Sequence, residues 1–456
     1  MANPPREGSQ ESGYDAVVVG GGSAGLAFAK RAAGYGARVA LIEMAELGGT
    51  CVNRGCVPKK MLWHVAHARR EDDTLTESGH LTSPPRLDFA SVQQRVAHHI
   101  EGLRDTFEEE LAEAGVTLLR GRARLLGPGR VSCDDEEIHA GRIVIATGSE
   151  ALRPDEIEGG ELCEVSDDVF EWREVPERLV IAGGGYIGTE FATVFSGLGT
   201  EVVLAEKGDE ILEGFDPDAV AIAREQLEND DVEVRTGVEL SAVRRRDNVL
   251  TAILDDGSEI ECDRVLYAVG RKPRLGSLGP EADALERADS GALSVSDRFE
   301  TSVPGIFAVG DAADRMPLTP VAKRDGEWLA DELFGEGSGD RLDLGYVASV
   351  VFTDPPLAQV GDIEGDELYG DKEEVVPLHD GLLASEGPDS PVGRMTFFHK
   401  LLSEGQDGPL RGAVLVSRGA PDEIAWAAAL VVAGAPRTVL SRPAAVHPSF
   451  AEEMIG

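Results

Sequence analysis

The chain has 456 residues, enough for about three domains with cores of their own. It carries 83 Asp and Glu against 43 Lys and Arg, a formal net charge of -40, and such a surface repels nucleic acid and anionic membrane. Hydrophobic residues make up 42% and recur in periodic segments along the whole length, which excludes a disordered acidic chain.

Residues 1–13 are polar, lack an apolar signal core, and read as a disordered tail. The run from Tyr14 to Val19 reads as a buried parallel strand that enters Gly20-Gly21-Gly22-Ser23-Ala24-Gly25, and Leu26 to Ala33 continues as a helix. A second strand, Arg38 to Ile42, ends at Glu43, where a carboxylate can accept hydrogen bonds from a ribose. Gly20 permits the tight turn, Gly22 admits a pyrophosphate, and Gly25 lets helix and strand pack closely; the helix that starts at Ser23 offers its N-H groups to the phosphate. Together these elements make a dinucleotide-binding unit.

Cys51 and Cys56 follow in Gly48-Gly49-Thr50-Cys51-Val52-Asn53-Arg54-Gly55-Cys56-Val57-Pro58-Lys59-Lys60. Their spacing allows one helical turn to bring the sulfurs within bonding distance, and the glycines ahead of Cys51 let backbone approach a flat cofactor. Asp88 to Gly115 reads as an acidic helix, and Arg142 to Ile145 as a strand ending in Ala146-Thr147-Gly148. The dinucleotide pattern then recurs: strand Arg178 to Ala182, turn Gly183-Gly184-Gly185-Tyr186-Ile187-Gly188, and a strand from Glu201 that reaches Glu206 and Lys207. Two such units imply two dinucleotides. Further strands run from Arg264 to Val269, before Gly270 and Arg271, and from Gly305 to Val309, before Gly310 and Asp311.

Of the five cysteines, Cys133, Cys163 and Cys262 have no paired spacing and read as small buried hydrophobes in a cytoplasmic protein. The longest nearly apolar run, Ile424 to Ala435, is too short to span a bilayer, and no metal-ligand pattern is present. The expected protein is therefore soluble.

The cysteine motif, both glycine turns and the later strands, in this order, resemble the glutathione reductase branch of the pyridine nucleotide-disulfide oxidoreductases. That resemblance implies an α/β fold with two Rossmann-like domains and an α+β dimerisation domain. The expected boundaries are FAD-binding at 14–150, NAD(P)-binding at 151–273, a central FAD-binding continuation at 274–344 and an interface domain at 345–456. It implies a Cys51-Cys56 redox disulfide, with Cys51 the interchange thiol and Cys56 against the flavin. His447, oriented by Glu452 and supplied by the other subunit of a homodimer, is the implied acid-base group, and Lys59 with Glu190 the implied ion pair at the flavin's reactive edge. Gly20, Gly22, Ser23, Gly25, Glu43, Gly49, Thr50, Lys60, Thr147, Gly148, Asp311 and Thr319 are expected on FAD. Gly183, Gly185, Tyr186, Ile187, Gly188, Glu206, Lys207, Gly270 and Arg271 are expected on the nicotinamide nucleotide, with Tyr186 covering its pocket.

Two specificities stay open. Glu206 suits the ribose hydroxyls of NADH, whereas the thiol-reducing branch leans to NADPH and Lys207 sits where an arginine would meet its phosphate. Ser23, Lys30, Phe107 and Glu327 fall at substrate-lining positions of the family, but Glu327 replaces an arginine that would bind glutathione carboxylates, which argues against glutathione itself. The acidic composition resembles that of salt-accumulating haloarchaea, and that resemblance, together with the family's, implies bis-γ-glutamylcystine as the disulfide. Dihydrolipoamide dehydrogenase is the enzymatic alternative and a flavin redox sensor without turnover the non-enzymatic one.

Overall fold

A computed structural model describes residues 13–77, 79, 81–83, 86–247, 249–337, 339–363, 368–369, 372–374, 397–405, 408–440 and 442. Its α-helices over those residues are α1 (Ser23–Gly34), α2 (Gly49–Arg54), α3 (Cys56–Glu77), α4 (Phe89–Glu113), α5 (Tyr186–Gly197), α6 (Pro217–Asn229), α7 (Thr319–Phe334) and α8 (Ala420–Val432). The chain divides into two compact units, one comprising residues 1–58, 96–150 and 271–342, the other 59–95, 151–270 and 343–456.

The first unit is built on a five-stranded sheet in the order Ile306–Ala308, Ile143–Ile145, Ala16–Val19, Val39–Glu43, Thr117–Arg120. Every pairing is parallel, and Ala16 stands beside Val39. Strands buried on both faces need continuous apolar runs, and Ala16, Val17, Val18 and Val19 are all buried. On one face α1 lies against α7; a Cβ at Gly326 would come within 2.4 Å of the Ala24 carbonyl oxygen, so only glycine allows that approach.

The second unit repeats the plan. Its parallel sheet runs Glu233–Thr236, Glu201–Glu206, Arg178–Ala182, Arg264–Tyr267, Glu164–Val165, with Arg178 beside Glu201. In both sheets the strand that feeds the glycine turn is central, flanked by the next strand on one side and a later closing strand on the other. A three-stranded antiparallel sheet also precedes each closing strand, spanning 123–139 in one unit and 240–262 in the other. The second unit adds an antiparallel sheet containing Ser349–Val351, Leu357–Gly361, Leu410–Val416 and Phe398–Glu404, packed on α8 through Ile424, Ala427 and Val431. This is the expected α/β architecture with an α+β portion. Among the described residues no helix is long and apolar enough to cross a membrane.

Candidate active site

Each glycine turn divides its glycines between two physical demands. Gly20 and Gly183 turn with φ of 110° and 108°, and a Cβ on Gly25 or Gly188 would lie 1.9 or 1.8 Å from the carbonyl oxygen of Gly20 or Gly183. These four are required by the protein's own packing. The middle glycines differ. Among the described residues a Cβ on Gly22 would meet only Gly49 Cα, at 3.7 Å, and one on Gly185 would meet nothing within 4 Å. The protein leaves room there, and the N-termini of α1 and α5 open beside it, which fits a pyrophosphate at each turn.

Glu43 and Glu206 occupy equivalent places. Glu43 accepts from the Gly21 N-H at 2.6 Å and the Ala45 N-H at 2.7 Å, and Glu206 accepts from the Gly184 and Gly208 N-H groups at 2.5 and 2.7 Å. Both carboxylates are thereby fixed at the ends of their strands, where ribose hydroxyls would reach them. Lys207 points elsewhere, pairing with Glu239 at 2.9 Å. Tyr186 and Val269 are large apolar side chains left 44% and 45% exposed around the second turn, where Ile187 follows in the first turn of α5.

The cysteines lie on two helices rather than one continuous turn. Cys51 belongs to α2, Gly55 breaks the chain direction at φ -150° and ψ -119°, and Cys56 opens α3. Helix α2 begins against the first glycine turn: Gly48 N-H donates to the Gly21 oxygen at 2.9 Å, and a Cβ on Gly49 would sit 2.8 Å from Gly22 Cα. Buried Asn53 fastens it further, donating to the oxygens of Leu47 and Gly49 at 2.9 Å while accepting from Arg104 Nε at 2.6 Å. Cys56 Sγ lies 3.9 Å from Thr319 Oγ1 at the start of α7. Thus Gly22, Gly49, Thr50, both cysteines and Thr319 converge within one unit.

Asp311 belongs to the same assembly. Its Oδ2 accepts from Ser149 Oγ at 2.6 Å, while Arg271 donates to Ser149 Oγ at 2.9 Å, to the Ser149 carbonyl at 3.0 Å and to Thr50 Oγ1 at 3.4 Å. Arg271, expected on the nicotinamide nucleotide, makes these bonds inside the unit that holds Asp311 and the cysteines. Gly270, the residue before it, stays in the other unit, where its carbonyl accepts from Leu152 N-H at 3.0 Å. Thr147 Oγ1 is buried with no hydrogen-bond partner among the described residues, and neighbouring Gly148 has φ of 66°. An orphaned hydroxyl beside open backbone is what a polar cofactor would satisfy.

Lys59 and Glu190 form a 2.7 Å ion pair with side chains only 10% and 8% exposed. Lys60 is exposed, with its ammonium 5.0 Å from the Phe352 ring centre. Of the expected substrate residues, Lys30 pairs with Glu110 and lies 6.0 Å from the Phe107 ring, while Glu327 stands 3.9 Å from Lys323. His447 and Glu452 lie outside the described residues. Sequence reading missed Ser149, Asn53, Arg104 and Phe352. The strand-end motif Thr147-Gly148-Ser149 pointed at the first and the cysteine motif contains Asn53; nothing local marked Arg104 or Phe352.

Residues 14–326 match the family described as pyridine nucleotide-disulphide oxidoreductase. The chain is similar to a glutathione reductase of Burkholderia cepacia, 34% identical over 454 residues that cover 98% of each protein. It is similar to a glutathione reductase of Nostoc sp. (strain PCC 7120), 32% identical over 97% of this chain and 98% of that one. Among solved structures it resembles the HOCl-induced flavoprotein disulfide reductase RclA from Escherichia coli, with a TM-score of 0.85 at 27% identity, covering 97% of this chain and 98% of that one.

Proposed function

Because this chain belongs to the pyridine nucleotide-disulphide oxidoreductases, enzymes that use FAD and a nicotinamide nucleotide, we propose that it reduces bis-γ-glutamylcystine to γ-glutamylcysteine. The observation that carries the disulfide chemistry is the seating of Cys51 and Cys56 on two short-linked helices fastened to the first glycine turn. Bound FAD supplies the relay between a two-electron hydride donor and a disulfide.

The residues divide the rest of the work. The Cys51 thiolate attacks one substrate sulfur, forming a mixed disulfide as the other half leaves. His447 of the partner subunit, oriented by Glu452, protonates that leaving thiolate. Cys56 then attacks the Cys51 sulfur, releases the second half and closes the Cys51-Cys56 bridge. Each substrate disulfide becomes two thiols, and two protein thiols become one disulfide. The Lys59–Glu190 pair serves the hydride-transfer step that restores the thiols, and Asp311 with Thr319, Thr147 and Gly148 binds the flavin.

NADPH is the proposed donor. NADH is the second reading, favoured by Glu206, whose carboxylate would repel a 2'-phosphate. The departure from glutathione reductase at Glu327 supports a substrate other than glutathione disulfide. The test is kcat/KM for bis-γ-glutamylcystine, glutathione disulfide and lipoamide in strong salt, with Cys51→Ser beside the wild type. Bis-γ-glutamylcystine is expected to be preferred, and Cys51→Ser is expected to keep FAD and lose turnover. Preference for lipoamide would replace the proposal with dihydrolipoamide dehydrogenase activity; full turnover by Cys51→Ser would remove the cysteine mechanism.

A further inference from the structure

Helix α3 turns one face toward residues 352–354. Lys59, Trp63, His67 and Arg70, spaced by four, four and three residues, lie along that face. Trp63 meets the Phe352 ring edge-on at 5.8 Å and donates to the Thr353 carbonyl at 3.1 Å. His67, stacked on Trp63 at 5.1 Å, contacts Asp354 at 2.8 Å, and Arg70 reaches the same carboxylate at 3.3 Å. The segment is fixed to the helix at every residue.

The first rung holds the ion pair from two sides. Phe352 N-H donates to Glu190 Oε1 at 2.9 Å, the same oxygen that Lys59 contacts at 2.7 Å, and the Phe352 ring centre lies 3.9 Å from the Lys59 ammonium. A buried ammonium is held charged only if its donors and field are satisfied on all sides. The carboxylate covers one side of it and the π face another, and a desolvated cation–π contact is the strong kind. The peptide N-H takes a share of the carboxylate and so fixes where that carboxylate, and with it the ammonium, can sit.

We propose that Phe352 is a positioning residue for the hydride-transfer step, acting through Lys59 by its ring and through Glu190 by its backbone. The inference rests on the reading that the Lys59–Glu190 pair serves that step. Phe352→Leu removes the π face and keeps the backbone N-H; Phe352→Tyr restores the face. Single-turnover reduction of the FAD-bound protein by NADPH should slow by roughly ten-fold in Phe352→Leu and recover in Phe352→Tyr. In a Lys59→Met background Phe352→Leu should add no further loss. Equal slowing in the Leu and Tyr variants, or undiminished slowing without Lys59, would overturn the inference.

The same cycle read by denaturant unfolding separates the two readings. Loss of coupling between positions 59 and 352 in stability overturns the role of Phe352. Retained coupling, with flavin reduction unaffected by Lys59→Met, keeps Phe352 as the holder of the pair and removes the pair from hydride transfer.

Discussion

Glu206 accepts the Gly184 N-H at 2.5 Å, so the carboxylate that would meet a nucleotide ribose is also the strap of the second glycine turn. Its other oxygen is bonded to Gly208 N-H at 2.7 Å, which leaves it no freedom to swing away from a 2'-phosphate. Glu206→Arg removes a repulsion and adds a phosphate partner at the same place. The ratio of kcat/KM for NADPH over NADH should rise roughly ten- to hundred-fold, each charge-assisted bond contributing about 1.5–3 kcal/mol. Lys207→Ala should move the ratio little, because that ammonium is paired with Glu239. A ratio unchanged in Glu206→Arg would mean that nucleotide choice lies elsewhere.

The thiols should sort by environment. Burial, with Cys262 and then Glu161 nearby, pushes Cys163 up to about 12, and burial pushes Cys262 up to about 11. Neither forms an appreciable thiolate near pH 8. Cys51 is half-buried and Cys56 exposed. After anaerobic reduction by NADPH, iodoacetamide at pH 8 should label Cys51 and Cys56 and spare Cys163 and Cys262, as read by peptide mass spectrometry. Labelling that needs no reductant would count against a redox bridge; rapid labelling of Cys163 would count against its buried place.

The strands and glycine turns were legible because their signal is local. Arg178–Ala182 is a strand over the residues the apolar run named, and helix α4 occupies Phe89–Glu113 inside the expected 88–115. What the sequence does not reveal is set by tertiary contact. Gly55 splits the cysteine segment into two helices because its backbone leaves the helical region, which residue spacing does not reveal. The Arg271 guanidinium is held by Ser149, 122 residues away in the chain, a contact that its place after a strand does not reveal. Phe352 escaped notice for a similar reason: its partners Lys59 and Glu190 lie in distant segments.

Stability should depend on pH through Asp354. Burial alone would raise its carboxyl, but the His67 hydrogen bond and the Arg70, His67 and Arg418 charges outweigh burial and hold it below the ordinary 3.8. A carboxyl lowered on folding stabilises fully above its unfolded value, and that contribution is lost as pH falls through the folded one. Denaturant unfolding below pH 3.8 should therefore show an acid-side loss that is diminished in Asp354→Asn, while Asp354→Asn should be the weaker protein near neutrality. Parallel stability curves for the two proteins would contradict this.

The shared site admits a direct test of the homodimer. If His447 of one subunit serves Cys51 and Cys56 of the other, neither a His447→Ala homodimer nor a Cys51→Ser homodimer contains a complete site. Subunit exchange between the two inactive proteins creates hybrids with one intact site, its cysteines from the first variant and its histidine from the second. In a random mixture about half the dimers are hybrids, each with one working site of two, so roughly a quarter of wild-type activity should return. A site contained within one subunit gives no such recovery, because each subunit carries its own lesion. Hybrids verified by native mass spectrometry but no more active than their parents would sink the shared-site arrangement.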